Sequence, residues 1–452
     1  MPRLFGTDGV RGIANLELTG ELAYRLGRSV VISLAEHGQS RPRIAVGRDT
    51  RASSEFLEAA LAAGVCSAGG DAVLLGVFTT PGVAFLTPDL EAQAGAVISA
   101  SHNPAEYNGI KFFGSSGYKL PGEVEDEIET LVDSDPGPRP TGRGVGRMLP
   151  VEDALERYLR HLEGLASASL DGMRLVVDCA NGAASGIAPG LFRRLGARVL
   201  PINDAPDGWN INDGCGATVP EVVALAVVDA EADAGIAHDG DADRAMFADA
   251  EGGVVDGDQV LAACALDLYE AGELANGLVV TTVMANVGFR RAMDEAGVKV
   301  VETKVGDRYV LEGLLETGGI LGGEQSGHII FLRHATTGDG LLTAVQFLAL
   351  ARRKGVPVSD LASCMERFPQ VLLNVPVKGR DSLDDAGRVW DAVRDAEEAL
   401  GDRGRVLVRA SGTEPLVRVM VEAATEEEAA RHAEAIAEAV GTSLVRGEFG
   451  HS

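Results

Sequence analysis

The sequence predicts an α/β chain of three similar units followed by a smaller α+β unit. Short β-like runs alternate with amphipathic helical stretches, with many of the 57 glycines set between them. A Gly- and Pro-rich stretch interrupts that alternation at residues 133–147, and the pattern changes beyond residue 368. Domains average about 100–200 residues, so three or four are expected in a chain of 452 residues.

In order, residues 43–46 are expected as a strand and 53–66 as a helix. Residues 72–77 and 94–100 are apolar nearly throughout, as parallel strands are when both faces are covered. Residues 133–147 (DSDPGPRPTGRGVGR) are nearly free of apolar side chains and form the best linker candidate. Helical spacing at 152–165 is followed by strands at 174–178, 198–202 and 234–237. A third set has helices at 259–271 and 289–296, strands at 277–282 and 299–303, and a long helix at 338–353. Beyond it, strands at 371–377, 405–409 and 416–422 accompany helices at 384–400 and 425–440. Two of these strands return through a short turn, which requires antiparallel pairing. The breaks place domains at 1–147, 148–254, 255–367 and 368–452.

Composition narrows the function. There are 67 acidic residues against 40 Lys plus Arg, a formal net charge of −27. Binding to nucleic acid or to an anionic membrane needs a basic surface, so neither partner is expected. A hydrophobic fraction of 46% and a charged fraction of 24% are globular values. The 5 cysteines are odd in number and form no C-x-x-C pair, which fits free thiols in a reducing compartment. The opening MPRLFGTDG has no apolar signal core, and no apolar run approaches the ~18 residues of a membrane span. A cytoplasmic protein is expected. Only six of the cations are Lys, so each lysine stands out.

Five motifs could carry chemistry. In His238-Asp239-Gly240-Asp241-Ala242-Asp243-Arg244, three carboxylates alternate with small residues after an expected strand, and period-two spacing can aim all three at one point. Hard divalent cations take such oxygen ligands, and Mg²⁺ suits a site that leaves room for phosphate oxygens. An acidic solvated turn has the same composition. An EF-hand does not fit, since Arg244 stands where Gly is needed and Ala250 where the bidentate Glu is needed. Ala100-Ser101-His102-Asn103-Pro104 follows an apolar strand, where α/β proteins place reactive groups. It is either a Ser/Asn turn closed by Pro or a hydroxyl that exchanges phosphate with help from a cation. No G-x-S-x-G elbow is present to support a hydrolase.

Arg409-Ala410-Ser411-Gly412-Thr413-Glu414-Pro415, with Arg418 beyond, gathers two guanidinium forks, two hydroxyls and a glycine. That is a phosphate clamp, or a β-turn with incidental arginines. Gly322-Gly323-Glu324-Gln325-Ser326-Gly327-His328 could hydrogen-bond sugar hydroxyls or simply turn a hairpin. Thr7-Asp8-Gly9-Val10-Arg11-Gly12 is turn-like, and Lys111 lies shortly after Ser101. The chain has no Walker A sequence and no G-x-G-x-x-G, which leaves nucleotide-driven kinases and dinucleotide dehydrogenases without support.

Together FGTDGVRG, SHNP, DGDADR, GGEQSGH and RASGTEP resemble, in order and over essentially the whole chain, the motifs of the α-D-phosphohexomutase family. The opening, Ala242 and Gln325 are similar to the branch of that family that acts on glucosamine phosphates; phosphomannomutase/phosphoglucomutase relatives usually differ at these positions. The resemblance implies a four-domain architecture around a central cleft. Three similar mixed-sheet α/β domains would carry, in turn, a catalytic phosphoserine, a Mg²⁺ loop and a sugar-recognition loop. A smaller C-terminal α+β domain would bind phosphate. The implied activity interconverts glucosamine 6-phosphate and glucosamine 1-phosphate, an isomerase reaction feeding UDP-N-acetylglucosamine and peptidoglycan synthesis. Glucosamine 1,6-bisphosphate would be the intermediate, and it or glucose 1,6-bisphosphate the activator.

By position the resemblance makes Ser101 the phosphoserine, with Asp239, Asp241, Asp243 and a phosphoserine oxygen on Mg²⁺. Glu324 and Ser326 would grip sugar hydroxyls, with Lys304, Gly306 and Asp307 on the same side. Arg409, Ser411, Gly412, Thr413 and Arg418 would hold the non-reacting phosphate. Arg11, Lys111 and His328 would neutralise charge or move protons. A homodimer is also implied. The alternatives are a phosphomannomutase or phosphoglucomutase on the same scaffold and, in another class, a non-catalytic sugar-phosphate sensor. Either mutase requires Arg11, Lys111, Lys304, Arg409 and Arg418 to form a locally positive cleft on an acidic protein.

Overall fold

A computed structural model describes residues 4–6, 8–134, 139–377, 383–410 and 416–445 of the chain. Thr7, part of the expected linker (135–138), and Ser411, Gly412 and Thr413 lie outside these. Packing divides the chain into two units. One comprises residues 1–284 and 296–364, the other 285–295 and 365–452.

Three mixed sheets make up the larger unit. In the first, parallel strands Ala94–Ile98, Arg43–Arg48, Asp71–Val77 and Met148–Pro150 are extended by Tyr107–Gly114 and Val10–Ile13, both antiparallel to their neighbours. Every residue of Ala94–Ile98 is buried, the result of helices on both sheet faces. This strand ends at Ile98 and not at residue 100, because Ser99 and Ala100 leave the ladder to begin the serine loop. Met148–Pro150 pairs with Asp71–Val77, so the first sheet runs past the expected boundary at 147.

The second sheet has parallel strands Ala234–His238, Arg174–Asp178 and Arg198–Ile202, with Ala245–Asp249 antiparallel at its side. The third pairs Lys299–Thr303, Leu278–Thr282 and Leu321–Gly323 in parallel and adds Ile329–Phe331 antiparallel. Helix Gly257–Glu270, which leads into the third set, starts at a capping box. Asp256 accepts from the Gln259 N–H at 3.2 Å, and the Gln259 side chain accepts from the Asp256 N–H at 3.2 Å. Helix Gly20–Glu36, preceded by the Thr19 cap, lies in a stretch where the sequence predicted no element.

In the smaller unit, Gln370–Pro376, Leu416–Glu422 and Arg405–Ala410 form an antiparallel sheet, as the returning strands required. Helices Gly387–Leu400 and Glu426–Val440 share its apolar core. Helix Val287–Ala296, expected within the third α/β set, packs in this unit instead. Glu422 accepts from the Val287 N–H at 2.9 Å, and a Cβ at Gly288 would stand 1.7 Å from the Glu366 carbonyl oxygen. All five cysteines are free thiols. No helix among the described residues is long and apolar enough to cross a membrane.

Candidate active site

The serine loop leaves the C-terminal end of Ala94–Ile98. Ser101 is buried and has φ 51°, in the left-handed region. That conformation costs an L-residue about 1–2 kcal/mol, so surrounding contacts must enforce it. It points the Ser101 hydroxyl at Asp239, whose Oδ2 accepts its hydrogen bond at 2.6 Å.

Asp239 opens the loop between the antiparallel strands Ala234–His238 and Ala245–Asp249. Asp239, Asp241 and Asp243 are all buried, and one oxygen of each lies within 4.8 Å of the others. The period-two spacing thus does converge. Gly240 is required here, because a Cβ would lie 2.6 Å from the Ser101 carbonyl oxygen. Thr80 donates to Asp241 Oδ2 at 2.6 Å. The other oxygens, Asp241 Oδ1 and Asp243 Oδ1, are buried and accept no hydrogen bond among the described residues. Burial, then the charges of Asp243 and Asp241, push the Asp239 carboxyl well above its usual range. Three buried, mutually repelling carboxylates with two orphaned oxygens fit a hard divalent cation, the group that would satisfy all of them.

Cations surround the triad. Lys111 sits opposite Val97 in the first sheet and reaches Asp8 at 2.8 Å and Asp241 at 3.3 Å. Burial disfavours its charge, but Asp8 and Asp241 outweigh burial and raise its pKa. Asp8 also pairs with Arg11, and with Lys119 at 2.7 Å. Burial works against the Asp8 charge, yet Lys111, Lys119 and Arg11 together hold its carboxyl well below the usual range. Asp8 is thus shared by Arg11, Lys111 and Lys119, and its single charge offsets only part of theirs. The His102 ring, 3.3 Å from the Ser101 hydroxyl, is pushed down to about 4 by burial and then by Arg244 and Arg11.

The GGEQSGH segment is a hairpin, with Gly323 opposite Ile329. His328 at its end places Nδ1 3.5 Å from Asp243 Oδ2, while Nε2 accepts from the Gly338 N–H at 3.1 Å. That second bond puts a ring proton on Nδ1, facing Asp243. Burial opposes a second proton and Asp243 favours one, a net upward push that the Gly338 N–H facing Nε2 resists. Glu324, raised by burial, accepts from the Gly306 N–H at 3.1 Å, so the hairpin grips the loop that carries Lys304 and Asp307. Asp307 pairs with Lys119 at 2.5 Å and Arg308 with Glu125 at 2.8 Å. Lys304 Nζ lies 5.9 Å from the Tyr309 ring centroid, and Ser326 is half-buried at the hairpin tip.

Ser101, the three aspartates, Lys111, Arg11 and His328 therefore belong to one continuous network. Sequence reasoning placed Asp8 and Arg244 in its motifs without giving them a role and missed Thr80 and Lys119, of which Lys119 carried a signal as one of six lysines. In the smaller unit Arg409 and Arg418 are directly opposed across the antiparallel pair. Burial and then Arg418 lower the Arg409 pKa. Like charges directly opposite one another destabilise a sheet unless an anion lies between them.

Sequence models of the phosphoglucomutase/phosphomannomutase family match the chain in series. α/β/α domain I matches residues 2–137, domain II 156–253, domain III 256–368 and the C-terminal domain 372–439. A phosphoglucosamine mutase of Desulforamulus reducens is 53% identical over 443 residues, covering 98% of this chain and 100% of that one. One from Thermobifida fusca is 54% identical over 446 residues, covering 98% and 99%. The crystal structure of a Burkholderia thailandensis phosphoglucomutase/phosphomannomutase family protein shares the fold, with a TM-score of 0.82, 24% identity and 97% of each chain covered. With all four domains matched in order and relatives this similar along its length, the chain belongs to the phosphoglucomutase/phosphomannomutase family.

Proposed function

We propose that this enzyme is an intramolecular phosphotransferase with phosphoglucosamine mutase activity, interconverting glucosamine 6-phosphate and glucosamine 1-phosphate. The observation that carries the chemistry is the Ser101 hydroxyl set 2.6 Å from Asp239 in a buried carboxylate triad. The choice of sugar rests on the two phosphoglucosamine mutases at 53% and 54% identity.

Phosphoryl transfer needs alignment and charge neutralisation more than covalent intervention by the protein. Phosphorylated Ser101 gives up its phosphoryl group as its P–O bond breaks and a new P–O bond forms to the free O1 or O6 of the sugar. The sugar hydroxyl proton leaves to a nearby base, and the bisphosphate turns end for end. Ser101 then takes the other phosphoryl group back. Asp239, Asp241 and Asp243, with an oxygen on Ser101, would hold Mg²⁺. When bound, that ion offsets negative charge on the transferring oxygens. Lys111 and Arg11 flank the same point, and His328 holds a proton at Nδ1 for exchange with the sugar oxygen. Glu324 and Ser326 bind sugar hydroxyls, with Lys304, Gly306 and Asp307 beside them. Arg409, Arg418 and the intervening Ser411, Gly412 and Thr413 hold the phosphate that is not reacting. Either phosphate fits such a clamp, so one centre serves both half-reactions.

The test is a coupled assay with glucosamine, glucose and mannose phosphates, with intact mass reporting phosphate on Ser101. Preferred turnover of glucosamine phosphates through a phosphorylated Ser101 supports the reading. Preference for glucose or mannose phosphates moves the enzyme to another branch, and binding without turnover makes it a sensor.

A further inference from the structure

Arg51 takes no part in the chemistry above, yet it is fully buried. Its guanidinium is spent on the serine loop. Nη2 donates to the carbonyls of Ser101 at 3.0 Å and Asn103 at 2.8 Å. Nη1 donates to those of Pro104 and Tyr107, the latter at 3.1 Å. Nε donates to Asp49 Oδ2 at 2.8 Å. Asp49 is also fully buried and accepts from the hydroxyls of Ser54 and Ser99, each at 2.7 Å. The Ser99 hydroxyl in turn accepts from the Ser101 N–H at 3.0 Å. From the loop after Arg198–Ile202, Asn212 Nδ2 donates to the same two carbonyls, Ser101 at 2.9 Å and Asn103 at 3.1 Å. Both polar atoms of the Ser101 backbone are thus fixed. Its N–H is held through Ser99 and Asp49, and its carbonyl is held by Arg51 and Asn212.

We infer that Arg51 and Asn212 are positioning residues, a two-sided clamp on the Ser101 carbonyl that keeps the nucleophile aligned through both half-reactions. The inference rests on Ser101 carrying the phosphoryl group. Ser101 adopts φ 51°, which an L-residue leaves when unrestrained. Relaxation to an ordinary turn swings its hydroxyl away from Asp239 and out of line for transfer. The loop must also return to the same place after each loss and regain of phosphate, and neither clamp residue touches the hydroxyl that reacts. Lysine cannot replace Arg51, because a single ammonium does not reach carbonyls that a planar fork spans.

The test compares Arg51→Lys, Asn212→Ala and the double variant with wild type by steady-state kinetics. Transfer from glucose 1,6-bisphosphate to Ser101 is followed by intact mass, with circular dichroism as the check on folding. Arg51→Lys is expected to lower kcat about tenfold or more, with KM for glucosamine 6-phosphate unchanged within about twofold, because misplacement and not binding is what changes. Asn212→Ala is expected to lose about three- to tenfold in kcat. The double variant loses more than the product of the two, since each donor backs up the other on one carbonyl. A kcat within about twofold of wild type in folded variants, or a loss confined to KM, overturns the clamp. If Arg51→Lys does not fold, Ser99→Ala, which removes the acceptor of the Ser101 N–H and one donor to Asp49, makes the same test beside Asn212→Ala. Ser101→Ala, run in parallel, separates the two claims. Turnover in that variant overturns the mutase reading itself, whereas an inactive Ser101→Ala beside fully active clamp variants overturns the clamp alone.

Discussion

The Ser101 hydroxyl donates to Asp239 Oδ2 at 2.6 Å, across 138 positions of sequence. This bond joins a loop from the first sheet to a loop from the second and aims the Ser101 hydroxyl at Asp239. Ser101→Ala is therefore expected to lose nearly all mutase turnover while the fold is kept, because Ala removes the hydroxyl and little volume. Near-normal turnover in the folded variant sinks the mechanism.

The orphaned oxygens of Asp241 and Asp243 give the metal assignment a readout besides activity. A ligand bound only to the folded state at about 100 times its Kd adds about 2.7 kcal/mol of stability. Mg²⁺ is expected to raise the Tm of chelated wild-type protein. Asp239→Asn relieves repulsion within the triad, so its metal-free Tm should match or exceed that of wild type while its response to Mg²⁺ shrinks. Full activity after exhaustive chelation, or an equal Mg²⁺ response in wild type and variant, refutes the site.

The ion pairs Lys119–Asp8 and Lys119–Asp307 link the first and third sheets of the larger unit through a side chain only 11% exposed. Removing one partner of a buried pair leaves uncompensated charge and costs about 3–5 kcal/mol. Lys119→Met is expected to lower stability by an amount of that order, and pairing it with Asp307→Asn should restore part of the loss. Chemical denaturation of the three variants measures this. Additive losses would mean that the pair carries no coupling.

Much of this site was legible because its motifs are local. Asp239, Asp241 and Asp243 fall on one loop, and strands buried on both faces, such as Arg174–Asp178 and Leu278–Thr282, keep apolar runs that show their limits. The strand Tyr107–Gly114 was not seen, because Asn108, Gly109 and Lys111 interrupt any simple alternation. The roles of Asp8, Thr80, Arg51 and Asn212 were not seen because they exist only across the fold. Thr80 meets Asp241 from 161 positions away and Asn212 meets Ser101 from 111. Spacing along one chain carries no record of such meetings. The same holds for charge: cations can be counted in sequence, but Asp8, the carboxylate that Arg11 and Lys111 share, is identified only by contact.

Arg409 and Arg418 face each other across the smaller sheet, so a shared anion relieves their repulsion and gains a bidentate partner. Losing Arg418 is expected to weaken sugar-phosphate binding by about 1.5–3 kcal/mol, the range for hydrogen bonds to charged groups. Titration calorimetry of Arg418→Ala measures it, and unchanged affinity counts against the clamp.

Asp339 supplies a prediction about pH. It caps helix Gly340–Lys354, accepts from the Leu342 N–H at 2.9 Å and accepts the Tyr158 hydroxyl at 2.6 Å. Burial pushes its carboxyl up from an ordinary 3.8 to about 6. A raised carboxyl pKa means the folded state holds its proton more tightly than the unfolded one. Asp339 therefore favours folding most at and below the unfolded value, and that contribution is lost as pH rises towards 6. The slope within this window approaches about 1.4 kcal/mol per pH unit. Asp339→Asn keeps a cap and a partner for Tyr158 without the charge. Its stability relative to wild type is expected to rise from pH 4 to pH 6 and then level off. Denaturation curves for both proteins across that range measure the difference. Parallel curves, or a variant that loses ground as pH rises, would show that Asp339 is ionised without cost in the folded protein.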